Sequence, residues 1–165
     1  MTHFADLSTH TSCVDSPALL TCLNVGWLAR GFEFQTGRPS SAIIERLNRF
    51  CLVSVNARRG VHACDLCNPP KLVKFSFAHS MYLLGFSEIR IFGAPGRVYA
   101  APNLVLHYMS LHHYAPPEEF IDALMKCPDP TSIEYVGLLT QSGVEWKRLH
   151  SMQDKPIPQK LGTRL

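Results

Sequence analysis

The spacing of hydrophobic and polar residues along the chain predicts both helices and strands. Apolar side chains between Ile43 and Cys51 recur at helical spacing, with charged side chains on the opposite face, and they predict an amphipathic helix. Residues 72–77 and 86–92 alternate between apolar and polar positions, which is typical of strands. Because residues 93–96 have the composition of a hairpin turn, they and their apolar flanks predict an antiparallel hairpin.

Two further helices are predicted after this hairpin. Pro102 suits the first turn of a helix, which the proline pair at 116–117 ends. The next helix begins at Glu118, because acidic side chains favour the positive end of the helix dipole, and Lys126 lies in its last turn. Both helices carry apolar side chains on one face, so we expect that face to be buried.

Three shorter segments complete the predicted elements. Residues 22–28 form an apolar run that indicates a buried strand, and residues 133–139 are interpreted as a further strand. Residues 144–149 are interpreted as a final short strand or helix. Together the elements predict an α+β fold in which a small antiparallel sheet packs against two or three helices.

Length and composition predict one folded domain. The chain has 165 residues, of which 46% are hydrophobic and 18% are charged, and these values exclude intrinsic disorder. Residues 1–20 are polar and irregular, and we interpret them as an N-terminal arm. Residues 21–150 are the predicted zinc-binding α+β domain, and residues 151–165 are a tail with too few apolar residues to pack independently.

Targeting signals and cysteine usage predict a cytoplasmic protein. The first twenty residues lack the hydrophobic middle of a secretory signal, and no apolar run is long enough to span a membrane. In a reducing compartment, six cysteines are expected to bind metal or pack as thiols rather than form three disulfides. The isolated cysteines are interpreted as small buried apolar residues: Cys13, Cys22, Cys51 and Cys127.

Net charge gives little support to a nucleic-acid partner. The formal charge is only +3, below the strongly basic balance of most nucleic-acid binders. Arg58 and Arg59 form a small basic spot that an acidic partner or a nucleic acid can contact. We therefore expect a protein partner and neither a nucleic acid nor a membrane.

Two cysteines and two histidines have the spacing of a zinc site. Cys64 and Cys67 lie across a predicted tight turn, where both sulfurs can bind one tetrahedral ion. His107 and His112 have four residues between them, within the range that zinc-finger histidines use. Because a regular helix would place these two histidines about 140° apart around its axis, we expect the helix to be distorted near its end. Thiolate and imidazole ligands favour Zn²⁺ over Mg²⁺ or Ca²⁺.

Two other histidines are alternative ligands, and one redox alternative exists. His62 precedes the cysteine pair and can replace one of the later histidines, while His113 adjoins His112. A thiol-exchange role for the Cys-x-x-Cys motif would require a helix directly after it. Residues 68–70 read Asn-Pro-Pro at that point, which disfavours such a helix.

A catalytic zinc site is the alternative to a structural one. A zinc deaminase would require a His-x-Glu motif, which the sequence lacks. A zinc-dependent hydrolase requires three protein ligands, an open fourth position for water and a carboxylate base. The carboxylates considered for that base are Glu88, Glu118 and Glu119.

The same motifs resemble those of a group of short bacterial proteins without a characterised activity. The pattern comprises H-x-C-x-x-C at 62–67, G-x-V-Y-A-A-P-x-L-x-x-H-Y at 96–108 and H-x-Y-x-P-P-E-E-F at 112–120, and the resemblance covers about residues 22–126. It implies a small cytosolic accessory or immunity-type protein encoded beside a toxin. We therefore expect a structural zinc site in a protein-interaction module, with a toxin as a candidate partner.

Overall fold

The computed structural model describes residues 2–11 and 20–152, and these ranges contain seven strands and four helices. The strands are β1 Thr21–Asn24, β2 Val53–Val55, β3 Lys74–Phe77, β4 Ser80–Leu83, β5 Glu88–Phe92, β6 Arg97–Pro102 and β7 Trp146–Arg148. The helices are α1 Ser41–Phe50, α2 Val105–Leu111, α3 Glu118–Lys126 and α4 Ile133–Gln141. The mixed α+β class predicted from the pattern is confirmed.

Five of the strands form one sheet in the order β1-β6-β5-β2-β7, and β3 pairs with β4 in a separate hairpin. All pairs in the larger sheet are antiparallel except β1 with β6, which run parallel. The predicted small antiparallel sheet is therefore present, and one parallel pair extends it at the β1 edge. The predicted hairpin turn before β6 is confirmed, since the Gly93 N–H donates to Arg97 O and the Arg97 N–H donates to Ala94 O.

Helix α1 follows its predicted pattern. The Ser40 side chain accepts a hydrogen bond from the Ile43 N–H and so caps the first turn. Leu47 and Phe50, one helical turn apart on the same face, are completely buried. The Arg46 side chain donates to the backbone carbonyl of Cys127, which links α1 to the end of α3.

Residues 133–139 are not a strand as predicted but belong to helix α4. Ser132 accepts a hydrogen bond from the Tyr135 N–H and caps this helix. Tyr135 and Leu139 are completely buried, whereas Ile133 is 87% exposed. In a strand, Ile133, Tyr135 and Leu139 would all lie on the same face. In a helix, Tyr135 and Leu139 share one face and Ile133 lies on the other, which matches the observed burial.

Pro102 ends a strand instead of starting a helix as predicted. It pairs with Glu88 at the last position of the β5–β6 ladder, and α2 begins only at Val105. Proline is tolerated at the end of a ladder, where few further backbone hydrogen bonds depend on it. The segment left open as strand or helix, 144–149, contains strand β7.

Strand β4 has no clear signal in the sequence. Ala78 and His79 form the turn before it with φ values of 47° and 64°. A turn with two positive φ values is usually made by asparagine or glycine. The sequence therefore contains no residue at this turn that would have indicated the β3–β4 hairpin.

Residues near the N-terminus lie along the free edge of β1. The His10 N–H donates to Cys22 O, and the Asn24 N–H donates to Ser8 O. Asp6 accepts hydrogen bonds from the Gly26 N–H and the Tyr114 hydroxyl. Residues 6–10 are thus attached both to the sheet and to the segment that follows α2. The division into arm, domain and tail stays a prediction, and most of the tail lies outside the described residues.

Cysteine states differ from expectation at one position. Cys51 and Cys127 are buried free thiols, as predicted, and burial raises the pKa of each. Cys22 is disulfide-bonded, so the expectation of a free thiol there is wrong. Cys13 lies outside the described residues. Among the described residues, no helix is long and apolar enough to cross a membrane, and a cytoplasmic location stays a prediction.

Candidate metal centre

The structure brings together the four residues that the spacing singled out. One ligand atom from each of Cys64, Cys67, His107 and His112 lies within 4.8 Å of every other. Cys67 Sγ lies 3.3 Å from His107 Nε2 and 3.4 Å from His112 Nε2, and Cys64 Sγ lies 3.4 Å from His112 Nε2. Both sulfurs thus lie within contact distance of imidazole nitrogens.

These distances fit a single tetrahedral ion. A zinc ion bonded to a thiolate at ~2.3 Å and to an imidazole at ~2.05 Å holds the two ligand atoms about 3.6 Å apart when the angle is tetrahedral. The sulfur–nitrogen distances of 3.3–3.4 Å are slightly shorter than this separation. These three sulfur–nitrogen separations are therefore compatible with ligand atoms that share one ion.

Backbone contacts shape the cysteine loop. The Cys64 N–H donates to Lys71 O at 2.8 Å, and this pair closes the base of the loop. The Arg30 guanidinium donates to Asp65 O at 2.9 Å and to Cys67 O at 3.0 Å. Arg30 thereby fixes the loop that carries both sulfurs. Sequence reasoning missed this role, because a single arginine more than thirty residues away has no motif to reveal it.

The end of α2 makes the two histidines converge. His107 lies inside α2, but the helix ends at Leu111 and His112 is its C-terminal cap. His113 has a φ of 55°, which turns the chain away from the helix. The two imidazole rings lie 5.0 Å apart between centroids, with His107 inside the helix and His112 at its cap.

Electrostatics favour neutral imidazoles at the site. Burial, together with the nearby His112 and Lys71, lowers the pKa of His107 to about 4. Burial also lowers the pKa of His112, with added contributions from Lys71 and His113. Neutral imidazole is the form that binds metal, so both rings are ready to act as ligands near pH 7.

The Cys64 sulfur receives backbone hydrogen bonds. Burial raises the pKa of the Cys64 thiol, whereas hydrogen bonds from the N–H groups of Cys67 and Leu66 lower it. The net shift is upward in the absence of a cation. Backbone donors aimed at a sulfur stabilise its thiolate form, which is the form that binds metal.

The alternative ligands lie outside the cluster. His62 is exposed, and its backbone N–H donates to Gly85 O. His113 is exposed as well, and its carbonyl accepts from the Gly37 N–H. Neither belongs to the group of four residues whose ligand atoms lie together.

The carboxylates considered as catalytic bases are engaged elsewhere or face solvent. Glu88 forms an ion pair with Arg90 at 2.6 Å. Glu119 accepts a hydrogen bond from the Tyr99 hydroxyl at 3.0 Å, and Glu118 is exposed at the start of α3. The cluster of ligand atoms therefore consists of two sulfurs and two nitrogens, with no carboxylate oxygen.

Fold and site together define a mixed α+β protein with a Cys₂His₂ cluster that can hold a metal ion. The chain belongs to the family described as Domain of unknown function (DUF7919), whose model matches residues 2–125. The match includes all four residues of the cluster, and it also includes residues 2–21, which the resemblance noted above did not cover. No curated protein and no solved structure matches the chain.

Proposed function

We propose that Cys64, Cys67, His107 and His112 bind one Zn²⁺ ion in a closed, structural site. The convergence of their four ligand atoms within 4.8 Å is the observation that carries this proposal. Two thiolates and two neutral imidazoles are a ligand set that proteins use for structural zinc. The ion joins the cysteine loop to the end of α2 and so connects segments about forty residues apart.

Four protein ligands support a structural role over a hydrolytic one. A catalytic zinc ion keeps one coordination position open for water, and a base must lie beside that position. Here both sulfurs are buried and the carboxylates considered as bases make other contacts or face solvent. A zinc-dependent hydrolase remains the alternative, and it would require one of the four ligands to leave the ion.

Metal analysis of the purified chain tests the zinc site. We expect one zinc ion per chain, and we expect Co²⁺ substitution to give the visible absorption of a tetrahedral site with thiolate ligands. His112→Ala should abolish that spectrum, whereas His113→Ala should leave it intact because His113 lies outside the cluster. A bound zinc that survives in both variants, or an octahedral Co²⁺ spectrum, would contradict the proposed ligand set.

We further propose that the zinc-stabilised domain acts by binding another protein, in the manner of an accessory or immunity protein that binds a toxin. A closed metal site and a modest net charge of +3 support a binding role over catalysis or polyanion recognition. The test is co-purification with the product of the adjacent gene, with the His112→Ala and His113→Ala variants compared. Metal-dependent hydrolysis of a test ester by the wild-type chain, lost in His112→Ala, would instead favour the hydrolase.

A further inference from the structure

A second site with polar and aromatic walls lies apart from the four metal-site residues. It is a pocket of about 270 Å³ between residues near the N-terminus, the start of β5 and the loop after β2, and we name it the His10 pocket. Its walls include Phe4, Trp27, Phe86, His10, Glu88 and Arg58. Ligand pockets usually measure about 300 to 1,000 Å³, so this one suits a ligand of a single ring.

The aromatic walls are fixed in place. The Trp27 indole N–H donates to Ala100 O at 3.0 Å. Phe4 contacts the same indole edge-on, with centroids 5.5 Å apart, and the His10 ring stacks on it at 5.7 Å. Because these contacts set the orientation of the indole, the pocket is organised before any ligand enters.

A buried histidine of the pocket has one nitrogen without a hydrogen-bond partner. Asn24 Nδ2 donates to Ser8 Oγ and to Thr9 O, so Asn24 Oδ1 is the atom that accepts a hydrogen bond from His10 Nδ1–H at 2.7 Å. His10 Nε2 is buried and makes no hydrogen bond within the described residues, although Glu88 Oε2 lies 3.5 Å away. The His10 ring thus faces the Glu88 carboxylate at ion-pair distance in the wall of the pocket.

Further contacts neutralise the Glu88 carboxylate. Arg90 lies 2.6 Å from Glu88 Oε2, and Asn56 Nδ2 donates to the same oxygen at 3.3 Å. His10 and Arg90 lower the pKa of Glu88 against the upward effect of burial. The one carboxylate in the described wall of the pocket therefore does not set the charge that a ligand meets.

The charge at the mouth of the pocket comes from Arg58. Its backbone N–H donates to Phe86 O at 2.7 Å, which fixes the base of the side chain. Its guanidinium is exposed and makes no ion pair or hydrogen bond with the other described residues. An exposed guanidinium beside an aromatic wall attracts a carboxylate that is attached to a ring.

We propose that the His10 pocket binds a small planar organic anion, with its ring against Trp27 and Phe86 and its carboxylate on Arg58. This inference is independent of the metal site and of the proposed protein partner. Benzoate, benzamide and benzamidine are the probes, because they have nearly the same shape and differ in charge. Binding is followed through the Trp27 indole N–H signal in ¹H–¹⁵N NMR spectra, which is assigned with the Trp146→Phe variant.

Benzoate should shift the Trp27 signal in a saturable manner. Benzamide and benzamidine should bind at least about tenfold more weakly, because a tenfold loss of affinity is expected when a hydrogen bond to a charged group is lost. Arg58→Gln should weaken benzoate binding by about the same factor. Arg59→Gln is the matched control, because Arg59 does not line the His10 pocket, and it should leave the affinity within about twofold.

Three results would overturn the inference. Tighter binding of benzamidine than of benzoate would show that Glu88 determines the charge preference. Equal losses in Arg58→Gln and Arg59→Gln would show unspecific attraction by surface charge. The absence of any saturable shift of the Trp27 signal with benzoate would show that the pocket is not a site for planar anions.

Discussion

The metal link between the cysteine loop and α2 makes a quantitative prediction about stability. Cys67 and His107 are 40 positions apart along the chain, and an ion that binds both closes the loop between them. In the chain-entropy treatment of cross-links, closing a loop of this length removes unfolded-state entropy worth about 4 kcal/mol at 25 °C. A small domain has a free energy of unfolding of about 5–15 kcal/mol, so the link supplies a large part of the total.

Thermal unfolding with and without a strong chelator measures this contribution. A domain of this size loses roughly 3–5 °C in Tm for each kcal/mol, so removing the metal should lower Tm by about 10–20 °C. Cys67→Ser should unfold near the temperature of the chelated wild-type chain. Because both changes remove the same link, the chelator should have almost no further effect on Cys67→Ser.

Two results would refute this reasoning. The first is a wild-type chain that loses its metal to the chelator, as shown by metal analysis, while its Tm is unchanged. The second is a Cys67→Ser variant that is destabilised and yet loses a further 10 °C or so with chelator, which is the scale expected of an intact link. His113→Ala is the control for unspecific effects and should unfold like the wild type.

Three further predictions concern the rest of the fold. The pKa of Glu88 in the folded protein lies below its ordinary value, so its ionised carboxylate stabilises the fold above pH 4.5, and this stabilisation is lost as the pH falls below 4.5. In acid unfolding experiments, Glu88→Gln should therefore reduce the dependence of stability on pH below 4.5. Gly85 and Gly96 both have a positive φ, but only at Gly85 would an added Cβ collide with the carbonyl oxygen of His62. Gly85→Ala should therefore lower Tm in thermal melts by several degrees more than Gly96→Ala. Leu139→Ala should reduce the free energy of unfolding by about 2–5 kcal/mol in urea titrations, and Ile133→Ala by less than about 0.5 kcal/mol; equal effects would contradict helix α4.

The local sequence pattern was sufficient to predict those features whose structure depends on neighbouring residues or on strict ligand chemistry. The helix at α1 could be predicted because its apolar face and its Ser40 cap agree. The four residues of the cluster could be singled out because metal ligands have narrow chemical types and spacings. The existence of α2 also followed from its apolar face, but its start did not, because Pro102 ends strand β6 and the helix begins only at Val105.

Features that depend on distant partners could not be predicted. Helix α4 has so many apolar residues that its period is ambiguous, and only the burial of Tyr135 against Arg90 O and the core reveals it as a helix. The parallel pairing of β1 with β6 depends on where the N-terminal residues enter the sheet. The contacts of Arg30 and the His10–Glu88 pair likewise join residues that no local pattern connects.

The strand order has a consequence for self-association. A bare sheet edge is a template on which a second chain can add a strand. At β1 the outer edge is already used by residues 8–10, which bridge to Leu23 and its neighbours. At the opposite edge, β7 is only three residues long and exposes Lys147 and Arg148. One edge is therefore occupied and the other is short and cationic, which protects the sheet from edge-to-edge aggregation.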